Sequence, residues 1–175
     1  MNGDAQGLAI WLVPPTTRRA EYATFIDAFA DQFGTPRFVP HVTLLTNVRF
    51  TGDDARRHIE ARLTELADAC RRVELRAQGL AIRDEYYRAL VVELEYTAEL
   101  HHARDAAERL FGSKSPDPFE PHLSLIYGEL PRATKEEAMR GIEATAFPPF
   151  RPEVIEAVEI DGPPHNWPSR VQVAL

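Results

Sequence analysis

An eight-residue pattern that occurs twice limits the folds open to this chain more than any other feature. Residues 38–45 (FVPHVTLL) recur as residues 119–126 (FEPHLSLI), with the same Phe, Pro, His and Leu and with Thr replaced by Ser. Side chains on a strand alternate between its two faces, so a histidine and the hydroxyl residue two positions later lie on one face. The sequence therefore predicts two matching strands, each presenting an imidazole and a hydroxyl together.

The order of the predicted elements repeats along with this pattern. Each half of the chain is predicted to contain a strand, a helix, the histidine strand, a second helix and a last strand. The predicted strands are residues 7–13, 42–45, 73–82, 87–94, 154–160 and 171–175, together with the strand of the second octamer. The strand at 73–82 is predicted to be interrupted at Gln78-Gly79. The predicted helices run from a cap at Thr16 or Thr17 to Gly34, from 51–53 to about Cys70, from 97 to 111, and from 134 to about 145.

This repeated order indicates an internal duplication, and duplicated halves usually pack about a pseudo-twofold axis. We expect an α/β (α+β) fold in a single domain of residues 1–175. Its two lobes would be about 1–83 and about 84–175, each a small antiparallel sheet flanked by helices, with a central cleft. Residues 113–118 and 162–168 are rich in Gly, Pro or Ser, so these segments are the candidates for loops that close over the cleft.

Composition narrows the class of protein. The formal net charge of −7 disfavours a general nucleic-acid coat, which needs a basic surface. The single cysteine, Cys70, rules out an intrachain disulfide and a multi-thiolate metal site. No long apolar run and no signal-peptide pattern is found, so we expect a cytoplasmic protein that does not bind a membrane and is a monomer.

The two histidine motifs carry the chemistry that a phosphodiester requires. Of the six histidines, His41 and His122 alone are followed two residues later by a hydroxyl, on Thr43 and Ser124. Two imidazoles with pKa values near neutral can serve as general base and general acid without a metal. The hydroxyls can donate hydrogen bonds to the non-bridging phosphate oxygens, and Tyr127 can orient the attacking water or bind the phosphate.

Three other interpretations of these motifs compete with that one. Two histidines could bind zinc, but a third ligand is not evident at useful spacing and Thr43 is a poor metal ligand, so no metal is expected. Ser124 could be a nucleophile with His122 as its base, but no Gly-x-Ser-x-Gly turn surrounds it and the first motif would be unexplained. Both histidines could also be core residues that donate to carbonyls.

The motifs HVTL and HLSL resemble those of the 2H phosphoesterase superfamily, whose members have a duplicated two-lobe fold. The longer stretches PRFVPHVTL and PHLSLIYGEL are similar to the plant-type cyclic phosphodiesterases. That group hydrolyses ADP-ribose 1'',2''-cyclic phosphate, and many members open nucleoside 2',3'-cyclic phosphates to 2'-phosphates, without a cofactor. The resemblance implies that His41 and His122 are the acid/base pair and that Thr43, Ser124 and Tyr127 bind phosphate.

The resemblance also suggests weaker candidates for substrate contacts. Tyr86 or Tyr87 stands where the group has aromatic residues that stack on a base. Trp11, on the N-terminal strand, is a candidate for the pocket, and Arg37, just before the first motif, is a candidate phosphate or ribose contact. The two motifs are near copies, so the sequence does not say which histidine is the base. By resemblance, the base would be His122, on the premise that Tyr127, five residues later, lies near it.

Two further functions remain open from the sequence. An RNA 2',3'-cyclic phosphodiesterase or 2'-5' RNA ligase-like enzyme would act on polynucleotide ends, although the acidic charge and the lack of a basic stripe argue against it. A non-catalytic module could instead bind a cyclic nucleotide. In each case the expected partner is a small cyclic phosphate or nucleotide, or an RNA end.

Overall fold

Seven antiparallel strands form the sheet of this protein, in a computed structural model that describes residues 7–49, 54–114 and 118–175. The strands are β1 (Leu8–Val13), β2 (Val42–Val48), β3 (Ala77–Ile82), β4 (Leu90–Leu94), β5 (His122–Ile126), β6 (Val154–Glu159) and β7 (Ser169–Ala174). The helices are α1 (Thr16–Phe33), α2 (Ala55–Cys70), α3 (Ala98–Phe111) and α4 (Arg132–Met139). The order across the sheet is β3-β4-β5-β2-β1-β6-β7.

The sheet consists of two parts that meet at one pair of residues. Strands β2 and β5 share a single registered pair, Val42 with Leu123, so a three-stranded and a four-stranded sheet join at the centre. This confirms the predicted small antiparallel sheets. Strand β3 from the first half of the chain pairs with β4, and β6 from the second half pairs with β1. The first half of the chain therefore contributes β3 to the three-stranded sheet, and the second half contributes β6 and β7 to the four-stranded sheet. The division near residue 83 stays a prediction about the sequence.

The central pair defines the two faces of the sheet. Val42 and Leu123 are both fully buried in the main hydrophobic core. That core also contains residues of the same strands and of helices α2 and α3, namely Leu44, Leu125, Leu63, Leu66 and Leu100. Because side chains alternate along a strand, the histidines and hydroxyls of the two motifs project from the opposite face. The hydrophobic core thus packs against one face of the sheet, and the motif side chains lie on the other face, where the site forms.

Helix ends follow local chemistry, with one departure from the sequence prediction. Helix α1 begins at Thr16, directly after Pro15, so the predicted threonine cap was wrong; the Thr16 N–H donates instead to Glu153 Oε2 at 3.2 Å. Gly34 ends α1 in the left-handed region at φ 69°, as predicted. The predicted start of α2 at 51–53 lies outside the described residues. None of the described helices is long and apolar enough to span a bilayer.

Besides strand β3, which begins at Ala77 rather than at residue 73, two other elements are shorter than the sequence predicts. Strand β4 begins only at Leu90, because residues Tyr86–Arg88 form a 3-10 turn where the sequence predicts the strand to start. Helix α4 ends at Met139 rather than near residue 145, since Gly141 takes a φ of 85° that the helix cannot continue through. The first of these differences matters for function, because the 3-10 turn carries the two adjacent tyrosines.

Candidate active site

Each motif histidine is held by the carbonyl group two residues before it. His41 Nδ1 lies 2.6 Å from the Val39 oxygen, and His122 Nδ1 lies 2.8 Å from the Glu120 oxygen. A carbonyl oxygen can only accept, so Nδ1 carries the proton in both rings and Nε2 of the neutral ring has a free lone pair. A proline lies between carbonyl and histidine in both motifs and keeps this stretch extended. The two halves therefore present matching imidazoles with the same tautomer.

The central register brings the two motifs face to face. Since Val42 pairs with Leu123 in an antiparallel register, the residues that flank this pair lie across from each other. The same register places His41 across from Ser124 and Thr43 across from His122. The four predicted side chains thus form two diagonals on one face of the sheet, with the imidazoles on one and the hydroxyls on the other.

His41 lies deeper than His122 and differs from it in protonation. Its ring stacks on Trp11, with the ring centroids 3.5 Å apart and the planes 8° from parallel, and the residue is only 7% exposed. Burial, together with the nearby charge of His122, lowers the pKa of His41 to about 3 despite the hydrogen bond to Val39. His41 is therefore neutral at ordinary pH and suited to accept a proton.

His122 lies nearer the surface and is surrounded by charges of both signs. Its pKa is lowered by burial and by the Arg88 guanidinium, while the hydrogen bond to the Glu120 carbonyl and the carboxylates of Glu85 and Glu120 act in the opposite direction. These opposing charges are lacking around His41. The two similar motifs therefore hold their histidines in different electrostatic surroundings, and the carboxylates beside His122 favour its protonated form.

Tyr127 lies beside His41, not beside His122. Its hydroxyl is 3.4 Å from His41 Nε2, and its ring stacks on Phe38 with centroids 3.7 Å apart. The premise that Tyr127 lies near His122 was therefore wrong. Strands β5 and β2 run in opposite directions, so the end of β5 lies beside the segment that precedes β2. Burial raises the pKa of Tyr127, which keeps the phenol protonated and able to donate to Nε2.

The two hydroxyls of the motifs have different surroundings. Ser124 is buried; its hydroxyl donates to the Tyr87 carbonyl oxygen at 2.8 Å and is also hydrogen-bonded to Tyr127. Thr43 is half-buried and pairs with Trp11 across β1 and β2. Ser124 must therefore rotate away from Tyr87 before it can donate to a phosphate.

Aromatic side chains surround the deeper half of the site. The Tyr87 ring meets Tyr127 edge-on at 5.3 Å, and Tyr86 meets Tyr87 edge-on at 4.9 Å. Trp167 lies 5.9 Å from Trp11 and 5.7 Å from Tyr87, and its Nε1–H donates to the Gly162 carbonyl oxygen at 3.0 Å. The structure thus brings Trp11, Tyr86 and Tyr87 to the site, along with Trp167 of the segment 162–168; closure of this segment over the cleft stays a prediction. The other predicted loop, 113–118, lies partly outside the described residues.

Arg37, in contrast, is not brought to the site. Its guanidinium is half exposed and pairs with Asp27 at 3.1 Å and with Asp31, both on helix α1. The basic residue near the motifs is Arg88, which the sequence analysis missed. Arg88 pairs with Glu85 and Glu120, and its Nε is buried without a hydrogen-bond partner. In the sequence, the position of Arg88 directly after the two tyrosines could have indicated that it lies near the site. Its place beside the second motif depends on the tertiary fold.

Within the described ranges, no group of three or more His, Cys, Asp and Glu side chains could hold a metal ion. The site therefore consists of two imidazoles with Nε2 lone pairs, two hydroxyls on the other diagonal, and one protonated phenol. Such a set can remove one proton and deliver another on opposite sides of a bound phosphate.

The chain is similar to proteins of one family over most of its length. The sequence profile described as "Cyclic phosphodiesterase-like protein" matches residues 6–151. A "Cyclic phosphodiesterase" of Arabidopsis thaliana is 27% identical over 130 residues, which cover 74% of this chain and 70% of the plant protein. A "2',3'-cyclic-nucleotide 3'-phosphodiesterase" of Phaeosphaeria nodorum is 26% identical over 137 residues, which cover 71% of this chain and 70% of the fungal protein.

Solved structures share the architecture. The crystal structure of Escherichia coli LigT in apo form superposes with a TM-score of 0.51 at 16% identity, covering 99% of both chains. A second crystal structure, of a phosphoesterase, gives a TM-score of 0.53 at 13% identity, covering 98% of this chain and 99% of the other. At such identities the likeness concerns the fold alone, and it confirms the predicted two-lobe fold.

Proposed function

The chain belongs to the cyclic phosphodiesterase-like protein family, and from this premise we propose that it opens the cyclic phosphodiester of a small nucleotide without a metal. The observation that carries the proposal is the pair of Nε2 lone pairs, those of His41 and His122, on the same face as the hydroxyls of Thr43 and Ser124. The substrates are nucleoside 2',3'-cyclic phosphates, ADP-ribose 1'',2''-cyclic phosphate, or both.

The different electrostatic surroundings of the two histidines support a division of roles. His41, whose pKa burial lowers to about 3, is neutral and takes a proton from water through Nε2. The water oxygen attacks phosphorus and the bond from phosphorus to the 3'-oxygen breaks. His122, protonated at Nε2, gives its proton to the departing 3'-oxygen, which leaves the 2'-phosphate as the product. This assignment reverses the one that the family resemblance implied.

The neighbouring donors suit the charge that develops on the phosphate. Thr43 and Ser124 would donate to the two non-bridging oxygens, and the Tyr127 hydroxyl, 3.4 Å from His41 Nε2, would hold the attacking water against the base. Each of these three donors is uncharged. Donors to the charge that develops on the non-bridging oxygens, here Thr43 and Ser124, typically contribute a factor of about 10²–10³ each to kcat.

Turnover in EDTA, with the products resolved by phosphorus NMR, tests the proposal. The substrates are the four nucleoside 2',3'-cyclic phosphates, ADP-ribose 1'',2''-cyclic phosphate, and an oligoribonucleotide that ends in a 2',3'-cyclic phosphate. Formation of a 2'-phosphate from a mononucleotide in EDTA supports the proposal. A strict requirement for an added metal overturns the metal-free reaction, a better oligonucleotide substrate favours action on RNA ends, and tight binding without turnover favours a binding module.

A further inference from the structure

We propose that the cavity beside His122 holds the base of a nucleoside 2',3'-cyclic phosphate, and that Glu93 selects bases with an exocyclic amine. The inference rests on the proposed function and names the substrate class of the same site. The cavity has a volume of about 410 Å³, within the range of small-molecule sites. The lining residues used in the argument are Gln78, Arg88, Glu93, Tyr96, Phe119 and His122.

The strand register places Glu93 next to the reacting groups. Glu93 of β4 pairs directly with His122 of β5, so the two side chains project from the same face as neighbours. A group attached to the ribose whose phosphate is bound at His122 would therefore reach Glu93 along the sheet. Val91, which pairs with Ser124, lines the same cavity between the motif and its far end.

A β-bulge in strand β3 lies beside Glu93 and contributes Gln78 to the cavity. The register of β3 shifts between Ala77 and Gly79, which confirms the interruption predicted at Gln78-Gly79. Bulges redirect side chains and are frequent beside active sites, and this one sends Gln78 to the cavity wall. Gly79 pairs with Glu93, and a Cβ added at Gly79 would meet no atom within 4 Å. The bulge thus supplies one amide to the cavity, and the floor beside it, formed by the paired residues Gly79 and Glu93, has open space over Gly79.

The far wall of the cavity is aromatic and is held in place. The Tyr96 and Phe119 rings lie 5.3 Å apart at 58°. The Arg104 guanidinium packs on the Phe119 ring at 4.8 Å and donates to the Tyr96 hydroxyl at 3.2 Å. A flat ring bound between this wall and the floor would gain aromatic contact, which is worth about 1–3 kcal/mol for a stacked base in other proteins.

The charges of the lining favour a neutral occupant. Among the described lining residues, Arg88 is the one cation that is always charged, and it is paired with Glu120, which also lines the cavity. Glu93 is paired with Arg83 at 2.5 Å. Both carboxylates and the Arg88 guanidinium are thus engaged in ion pairs, so this lining gives little attraction to the diphosphate of ADP-ribose or to the next phosphate of an RNA strand. A nucleobase meets the requirement, because it is flat, uncharged and rich in hydrogen-bonding groups.

The carboxylate of Glu93 decides which bases fit. A carboxylate only accepts hydrogen bonds, so it accepts from the exocyclic amine of cytosine, adenine or guanine. Uracil has a carbonyl at the position where cytosine has its amine. The uracil carbonyl and the Glu93 carboxylate are both hydrogen-bond acceptors, so neither would have a donor in this contact. Cytidine and uridine 2',3'-cyclic phosphates therefore form a size-matched pair, and the wild type is expected to prefer the cytidine compound.

The test is the ratio of kcat/KM for these two substrates in the wild type, in Glu93→Gln and in Glu99→Gln. Glutamine can donate to the uracil carbonyl, so in Glu93→Gln the preference for cytidine is expected to fall by about tenfold or more, as loss of a charge-assisted hydrogen bond requires. Glu99 is exposed on helix α3 and does not line the cavity, so Glu99→Gln should keep the wild-type ratio.

A second variant keeps the inference testable if Glu93→Gln folds poorly. Gly79→Leu would fill the open floor, and its KM for nucleoside cyclic phosphates is expected to rise by about tenfold or more. The loss should be confined to substrates with a base, with methyl β-ribofuranoside 2',3'-cyclic phosphate as the base-free comparison. An unchanged cytidine to uridine ratio in Glu93→Gln, or equal losses with both substrate types in Gly79→Leu, would overturn the inference. Failure of the proposed function is distinct, since the wild type would then turn over none of these compounds.

Discussion

The hydroxyl of Tyr127 lies 3.4 Å from Nε2 of His41, although Tyr127 follows the other motif in sequence. The second half of the chain thus supplies a donor to the histidine of the first half. Thr46 occupies the corresponding position after the first motif, and it has no phenol to offer to His122. The pseudo-symmetry is broken at this point, and His41 becomes the histidine that can share a hydrogen-bonded water with a tyrosine.

Replacement of Tyr127 by Phe tests this relationship. The variant keeps the ring that stacks on Phe38 and removes only the hydroxyl, so kcat is expected to fall by about tenfold, the value of one hydrogen bond in the transition state. Because Tyr127 acts with His41, the loss should nearly vanish in a His41→Gln background and persist in a His122→Gln background. The opposite pattern in this double-mutant cycle would assign Tyr127 to His122.

The pH dependence of kcat/KM should follow the two lowered pKa values. The reaction requires His41 neutral and His122 protonated, so activity rises as pH increases through the pKa of His41, about 3, and falls as pH increases through that of His122. Both values lie below the ordinary histidine value near 6.5, so the maximum should lie on the acid side of it. A maximum well above pH 7 would contradict this assignment.

A matched pair of variants should move the alkaline limb of that profile in opposite directions. The Arg88 charge lowers the pKa of His122 and the Glu120 carboxylate raises it. Arg88→Gln should therefore shift the alkaline limb to higher pH, and Glu120→Gln should shift it to lower pH. The measurement is log kcat/KM against pH for both variants with a base-free cyclic phosphate, and shifts in the same direction would contradict the electrostatic account.

Stability should also depend on the protonation of His41. Folding lowers the pKa of His41, so between about pH 6.5 and pH 3 the unfolded chain binds a proton at His41 that the folded chain does not bind. The contribution of His41 to the free energy of unfolding is therefore complete above pH 6.5 and is lost as pH falls. Between pH 7 and pH 4 the loss is about 3 kcal/mol. Urea unfolding at both pH values, compared between the wild type and His41→Gln, isolates this contribution from that of the carboxylates, and equal losses in the two proteins would refute it.

Trp11 should control the protonation of His41 through burial. Trp11→Ala removes the ring stacked on the imidazole and admits water, so the pKa of His41 should rise toward 6.5 and the acid limb of the activity profile should move with it. Trp167→Ala is the matched control, because Trp167 contacts Trp11 with the ring centroids 5.9 Å apart, whereas Trp11 is the ring that stacks on His41. The measurement is an NMR titration of the His41 ring in both variants, and an unchanged value in Trp11→Ala would show that the stacking does not set the pKa.

The parts of this site that depend only on the alternation of side chains along a strand could be predicted from the sequence. The shared face of His41 and Thr43, and that of His122 and Ser124, follows from alternation alone. The proximity of Tyr127 to His41 could not be predicted, since it depends on the antiparallel register of β2 and β5, a tertiary pairing without a local signal. Pairing of β3 with β4, which places Gly79 opposite Glu93, is nonlocal for the same reason.

Turnover of cytidine 2',3'-cyclic phosphate in EDTA by the wild type, His41→Gln and His122→Gln is the most direct test of the central claim. If the two imidazoles are the general base and general acid, each single variant loses activity by a factor of about 10²–10⁴ while its far-ultraviolet circular dichroism is unchanged. The wild-type rate should be the same with and without EDTA. Full activity in either histidine variant would contradict the two-histidine mechanism.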